Sequence, residues 1–450
     1  MRAAPGFDPC FRESKKIPWS AKVFALAAGY TVLPFLELPF VGLSLSAILF
    51  YLLFMDVFLK ARRRVDIRAG GWIRLALWLG AGFFFSALVN GLSSSGSSFG
   101  KTEMIVLIRC TYWLIVFVTT LLFASLRPWI FPLTAGVFSL SVFLLALVRL
   151  YEAIRYGSYG AWMELKFMTQ NEYAFIFSAN TVFIAGFLMQ AEARKRMLAI
   201  LGLGIVLAVV LMNGSRSSWI AIAASFAVFG WICAAADPKK GRGIFKAALF
   251  LVLLGGLMGI FSRAAPQEVR ERFVSRFSTL ESLDQDKSYQ IRKVMIQKAI
   301  KIMQKHPLWG CGPGRFRFTR VELEMPRALR HFSSQKFESK SSHNAYMQFF
   351  AETGLAGGLP YLTLLVLFLG RGYSAAVFMT RRKHYWAAAL YASFIAMSIH
   401  LWSLAGLTGT MPWLKYGLVA GMIVTSANIR RFLRTQRSSE GQVTERAVVL

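Results

Sequence analysis

Long apolar runs, separated by short polar and basic breaks, set the pattern of this chain from end to end. Stretches near Val23–Leu36, Phe40–Leu59, Trp72–Gly91, Met104–Ser125, Trp129–Leu150 and Tyr173–Gln190 approach the roughly 20 apolar residues with which a helix crosses a bilayer. A second series lies near Met197–Met212, Ser218–Ala236, Ile244–Phe261, Leu355–Phe378, Trp386–Gly406 and Trp413–Ile429. The pattern predicts an all-α polytopic membrane protein of about twelve transmembrane helices, with one large extracytoplasmic loop that contains short helices. Residues 1–261 would hold the first nine spans, 262–354 the loop, 355–430 the last three spans and 431–450 a tail, disordered from Ser438. The first span is the shortest; Pro34 and Glu37 interrupt its run, no small-residue cleavage site accompanies it, and it reads as a retained helix.

Composition agrees with a lipid solvent: 56% of residues are hydrophobic and the mean hydropathy is +0.49, which would leave a soluble domain with far too much apolar surface. A net charge of +30 could point to nucleic acid, but the Lys and Arg fall in short blocks between spans. With the N-terminus inside, Lys60/Arg62/Arg63/Arg64/Arg68, Arg194/Lys195/Arg196, Lys239/Lys240/Arg242, Arg381/Arg382/Lys383 and Arg430/Arg431/Arg434/Arg437 all fall on one side. By the positive-inside rule that side is cytoplasmic, both termini included. The loops 91–102 and 151–171 and the long segment 262–353 then face outward. No nucleic-acid partner is expected. The cysteines Cys10, Cys110, Cys233 and Cys311 form neither a CxxC pair nor a disulfide framework.

Polar chemistry concentrates in the long outer segment, where Lys and Arg outnumber Asp and Glu about twofold. Long loops are exempt from the positive-inside rule, so the excess fits an anionic lipid or phosphate partner. Tyr289–Lys305 reads as an amphipathic helix, with Ile291, Val294, Met295, Lys298 and Ile302 at three and four spacing and a stop at His306-Pro307. The turn-rich Gly310-Cys311-Gly312-Pro313-Gly314 follows. A second helix is expected after Ser341-Ser342, capped by Ser and ending at Gly354.

Three stretches carry a family resemblance. They are Asn213-Gly214-Ser215-Arg216-Ser217-Ser218; the run from Arg292 to Phe316, with Pro307-Leu308-Trp309-Gly310-Cys311-Gly312-Pro313-Gly314-Arg315-Phe316; and His343-Asn344-Ala345-Tyr346 continued by Glu352-Thr353-Gly354-Leu355-Ala356-Gly357. Together they resemble the O-antigen ligase and polymerase superfamily, whose patterns are Pro-Leu-x-Gly-x-Gly-x-Gly-x-Phe and a His-Asn motif followed by Glu-x-Gly-x-x-Gly. The resemblance covers Asn213 to about Gly357, under half the chain; elsewhere only the span pattern and Asn171 match. It implies a metal-independent, inverting transfer of a glycan from a polyprenyl pyrophosphate, with a histidine as base and arginines on the pyrophosphate.

The chemistry of the residues agrees. Charge grows on the leaving pyrophosphate as the sugar bond breaks, and arginine pairs two phosphate oxygens without losing its proton. Arg216 at a span end and Arg292 at a helix start suit that role, and Arg149 and Arg155 at the outer end of the fifth span could complete the cradle. Each could instead be an interfacial arginine reaching headgroups. His343 is the candidate base, with Asn344, Glu352 and His331 in support. His400, inside a span, is a rival functional position, against a packing histidine; His306 ends a helix and His384 lies on the cytoplasmic side. No HExxH or Walker A is present, and no metal or other cofactor is expected.

The strongly basic outer loop favours the phosphorylated core of lipid A as acceptor, hence a ligase in the bacterial inner membrane. A polymerase extending a glycan would share donor and motifs. A flippase or other transporter is the reading from a different class; it expects buried mid-span charges, for which Arg109 and Arg371 are the candidates.

Overall fold

The computed structural model describes residues 19–31, 45–61, 67–93, 101–156, 170–213, 215–238, 287–324, 326, 329, 340–404 and 409–448. Among these the chain is all-helical. Helices α1 (Trp19–Tyr30), α2 (Leu45–Ala61), α3 (Ile67–Ser93), α4 (Lys101–Leu126), α5 (Ile130–Tyr156), α6 (Gln170–Leu188), α7 (Ala193–Met212) and α8 (Arg216–Ala236) come first. After them stand α9 (Lys287–Lys305), α10 (Ala345–Leu367), a π-helical turn at Phe368–Gly372, α11 (Tyr373–Arg381), α12 (Tyr385–His400) and α13 (Thr410–Val448).

Helices thus stand at eleven of the twelve apolar stretches; the ninth, Ile244–Phe261, lies outside the described residues, as does the start of the outer segment. Among the described residues, five segments are long and apolar enough to cross a membrane: Ala69–Gly91, Leu107–Leu126, Ile130–Tyr151, Arg216–Ala236 and Ala345–Arg381. By that measure the described residues form a multi-span helical protein, and twelve spans remain an expectation of the sequence. At 12 residues α1 would span only about 18 Å. One sequence expectation fails at the C-terminus. Instead of a tail disordered from Ser438, α13 runs on to Val448: the segment lacks proline, and Glu440, Gln442, Glu445 and Arg446 are good helix formers that let the preceding helix propagate.

Small residues and flat aromatic contacts set the packing. On α13, Gly417 and Gly421 lie one turn apart against α4: a Cβ at Gly417 would come within 2.6 Å of Thr120 Cβ, and one at Gly421 within 2.6 Å of Ala124 Cβ. The rings of Trp113 and Trp413 stack at 6.2 Å, and those of Phe131 and Trp386 at 4.5 Å. Where the helix loosens at Phe368–Gly372, Tyr391 of α12 donates its hydroxyl to the Leu369 carbonyl at 2.8 Å, a group that the π turn leaves in need of a donor.

Two ends of the bundle can be told apart. At one, Gln190 Nε2 donates to the Lys383 carbonyl (3.2 Å) and Arg381 to the Ala235 carbonyl (3.3 Å), which gathers the C-terminal ends of α6, α8 and α11. At the other, the Ala345 N–H donates to the Leu401 carbonyl (2.9 Å) and the Tyr346 hydroxyl to the Ser398 carbonyl (2.8 Å), joining the start of α10 to the end of α12. A small second core sits beside that end: Val294, Met295, Ala299 and Ile302 of α9 pack with Cys311, Phe316, Leu329 and Ala351.

Candidate functional site

Gly354 breaks α10. Its φ of 58° and ψ of −155° are open to glycine and strained for other residues. A broken helix leaves backbone groups to be paired, and the segment after Pro307 pairs them. Leu355 and Ala356 donate to the Pro307 and Leu308 carbonyls (2.9 and 3.0 Å), while Cys311 and Gly312 donate back to Ala351 and Glu352 (2.9 and 3.0 Å). Backbone meets backbone here without room for a side chain: a Cβ on Gly310 would lie 2.4 Å from the Glu352 carbonyl carbon, and one on Gly354 2.5 Å from that of Leu308. Two motifs far apart in sequence are one structural unit.

The Glu352 side chain closes the unit. One carboxylate oxygen accepts the Gly314 N–H at 3.0 Å and the other the Gln348 amide at 2.9 Å. Helix α3 clamps the loop from the other side. Ser86 Oγ lies between the carbonyls of Trp309 and Glu352, 2.8 Å from the latter, and Asn90 Nδ2 donates to the Gly310 carbonyl at 3.2 Å. The Asn90 carbonyl in turn accepts from Arg315 at 3.3 Å. Gly82 makes the close approach possible, because a Cβ there would come within 2.5 Å of the Ala356 carbonyl oxygen.

At the mouth of this unit stands His343, half-buried, with a left-handed φ of 50°. The next residue, Asn344, is the true cap of α10: its Oδ1 accepts the Met347 N–H at 3.1 Å. The expected serine cap is therefore displaced, and Ser342 Oγ accepts the Asn344 N–H instead (3.1 Å). Nor does α10 end at Gly354; it resumes beyond the break because the loop carries the orphaned groups. Burial, then the charges of Arg292, Lys340 and Arg317, hold the His343 imidazole below its ordinary 6.5. Arg292 projects half-buried from α9, and its guanidinium acts on His400 as well as His343. The structure thus brings His343, Asn344, Glu352 and Arg292 to one end of the bundle.

The other expected site residues are spread around that end. His400, fully buried at the close of α12, has Nδ1 3.2 Å from Ser178 Oγ and its ring against Phe175. Arg149 is not an exposed anchor: it is 3% exposed and lies flat on Tyr173, its guanidinium carbon 3.4 Å from the ring centre. Arg216 begins α8, a helix whose far end meets Arg381, so it lies at the His343 end of the bundle. Arg155 falls in the last turn of α5, where side chains are outside the described set, and His331 lies outside the described residues altogether. Sequence reasoning did not single out Ser86, Asn90, Gln348 or Arg317. Ser86 and Asn90 sit inside an apolar run with no motif to mark them, and Arg317 stands just past the last motif position.

Among the described residues no group of three or more His, Cys, Asp or Glu could hold a metal ion. Burial pushes the Cys311 thiol up to about 12, so it is a packing group and not a nucleophile. A family model described as O-antigen ligase matches residues 201–362, which takes in α8, α9, the glycine-rich loop and α10 up to Leu362. No curated protein matches the chain.

Proposed function

Because this chain carries an O-antigen ligase family domain over residues 201–362, we propose that it transfers a glycan from a polyprenyl pyrophosphate to an acceptor hydroxyl, without a metal. The acceptor hydroxyl gives its proton to His343; its oxygen bonds to the anomeric carbon from the face opposite the leaving group; the bond from that carbon to the pyrophosphate breaks, and the lipid pyrophosphate departs. Arg292 meets the charge that builds on the leaving group, and Arg216 and Arg149 widen the cationic field at that end. Asn344 caps the helix that follows the base, and Glu352 fixes the loop that the helix break requires.

One observation carries this reading: inside the matched segment, a half-buried histidine stands at one end of an apolar helical bundle, its pKa lowered by burial and by the charge of Arg292. The basic outer segment favours the phosphorylated core of lipid A as acceptor, and so a ligase of the inner membrane with this end outside the cytoplasm. A polymerase differs only in its acceptor. The transporter reading loses the two mid-span charges it named, since Arg109 and Arg371 are both exposed; the buried Lys415 is tied to the Ala179 carbonyl and Ser393.

The test is a transfer assay on purified protein in nanodiscs with chelated metal, offering a polyprenyl-pyrophosphate glycan and lipid A core. Glycan on lipid A core, lost in His343→Ala, supports the ligase; longer lipid-linked glycan alone indicates a polymerase. Lipid translocation with no covalent product would overturn the enzyme reading.

A further inference from the structure

The glycine-rich loop carries two arginines with different fates. Arg315 belongs to the motif, yet it turns back into the protein and donates to the Asn90 carbonyl of α3 at 3.3 Å. Phe316 is driven fully into the small core, beneath the buried Lys298, whose ammonium lies 5.1 Å from the ring centre. Arg317, next along the chain, is left exposed. A tight turn fixes this alternation, because the Phe318 and Thr319 N–H groups both donate to the Arg315 carbonyl (2.9 and 3.0 Å). The turn is itself held by Gly314 on Glu352 and by Gly310 on Asn90. Its position is therefore set relative to α10, whose first residues follow His343. The loop that bears Arg317 is thus held on Glu352 of α10, and Phe316 shares a core with Val294 and Met295 of α9, the helix that bears Arg292; the Arg317 charge reaches His343 as the Arg292 charge does.

We propose that Arg317 is a second pyrophosphate-binding cation of this site, working with Arg292 across His343, while Arg315 is a positioning residue that keeps the loop on α3. A pyrophosphate carries several negative charges, and two guanidinium groups from different elements can each pair two of its oxygens. The donor assignment made above underlies this inference.

The experiment measures binding, not turnover. Inorganic pyrophosphate and farnesyl pyrophosphate are titrated into the protein in nanodiscs, beside Arg317→Gln, Arg317→Lys and, as control, Arg320→Gln from the same exposed loop. Loss of Arg317 is expected to weaken binding of both probes about tenfold, with lysine recovering part of it and Arg320→Gln leaving it unchanged. In parallel, the His343 ring is titrated by NMR with His343→Ala for assignment. Arg292, Lys340 and Arg317 are the charged groups that face it, so Arg317→Gln should raise its midpoint toward 6.5 and Arg317→Lys should not. If the wild type binds pyrophosphate while Arg317→Gln binds equally well and leaves the His343 midpoint in place, the role of Arg317 is overturned and the donor assignment stands. If the wild type binds neither probe, both fall together.

Discussion

A histidine that serves as a base must be neutral when the substrate arrives, and His343 is kept so by burial and by three neighbouring cations. The sign is fixed by this: lowering the pKa leaves the ring unprotonated to lower pH, so the acid limb of kcat/KM against pH should fall below 6.5. Arg292→Gln removes the foremost of those charges and should move the limb upward, even as it weakens the donor; a limb that stays in place would separate Arg292 from His343. Glycine matters as much as the ionised groups. Gly354→Ala would put a Cβ 2.5 Å from the Leu308 carbonyl carbon, on a backbone with φ of 58°. It should cost roughly 2 kcal/mol or more, read as a lower unfolding temperature in detergent together with lost transfer. Both glycine motifs were legible in the sequence, Gly310 as part of a turn and Gly354 as a helix end; that the two let two backbones touch each other appears only when residues 44 positions apart meet.

Between helices, contact is made by residues that carry no motif. The α3 clamp is an example: Ser86 and Asn90 lie inside a run whose only sequence signal is apolarity, so nothing along the chain marked them as supports of the glycine-rich loop. The α13 seam is another. Gly417→Leu should cost roughly 1–3 kcal/mol by forcing α13 off Thr120 and the Phe117 carbonyl, measured as thermal stability, and with less effect on the His343 pH profile than any change to Arg292. Lys415 poses the opposite case. It is fully buried, donating to the Ala179 carbonyl and to Ser393 with its ammonium 5.4 Å from the Phe183 ring centre, and a desolvated charge is expensive. Methionine fills much the same stem, and Ser393 still reaches the Ala179 carbonyl, so Lys415→Met is expected to keep or raise the unfolding temperature. A large loss would mean that the lysine tie between α6, α12 and α13 outweighs its desolvation.

At the scale of the whole molecule, the apolar period placed the helices because lipid leaves the backbone little choice but to satisfy itself. It could not place the break in α10, the docking loop or the continuation of α13, since these depend on pairing between distant segments and on propensity past the last span. Charge, in contrast, gains meaning from the fold: Arg381 meets the end of α8, the Lys383 carbonyl meets the end of α6, and Arg430 lies on Phe378 of α11, so two basic blocks far apart in sequence share the end opposite His343. If positive charge marks the cytoplasm, that end faces inward and the glycine-rich loop outward. Cysteine labelling decides it with few changes, because Cys110, Cys233 and Cys311 are buried and the Cys311 thiol is pushed up to about 12, so that only Cys10 need be replaced. In intact spheroplasts an impermeant maleimide should label Arg320→Cys at once and Lys195→Cys only after the membrane is opened. The reverse order would put the site in the cytoplasm, where a donor translocated to the outer leaflet could not reach it, and would remove the ligase and the polymerase alike.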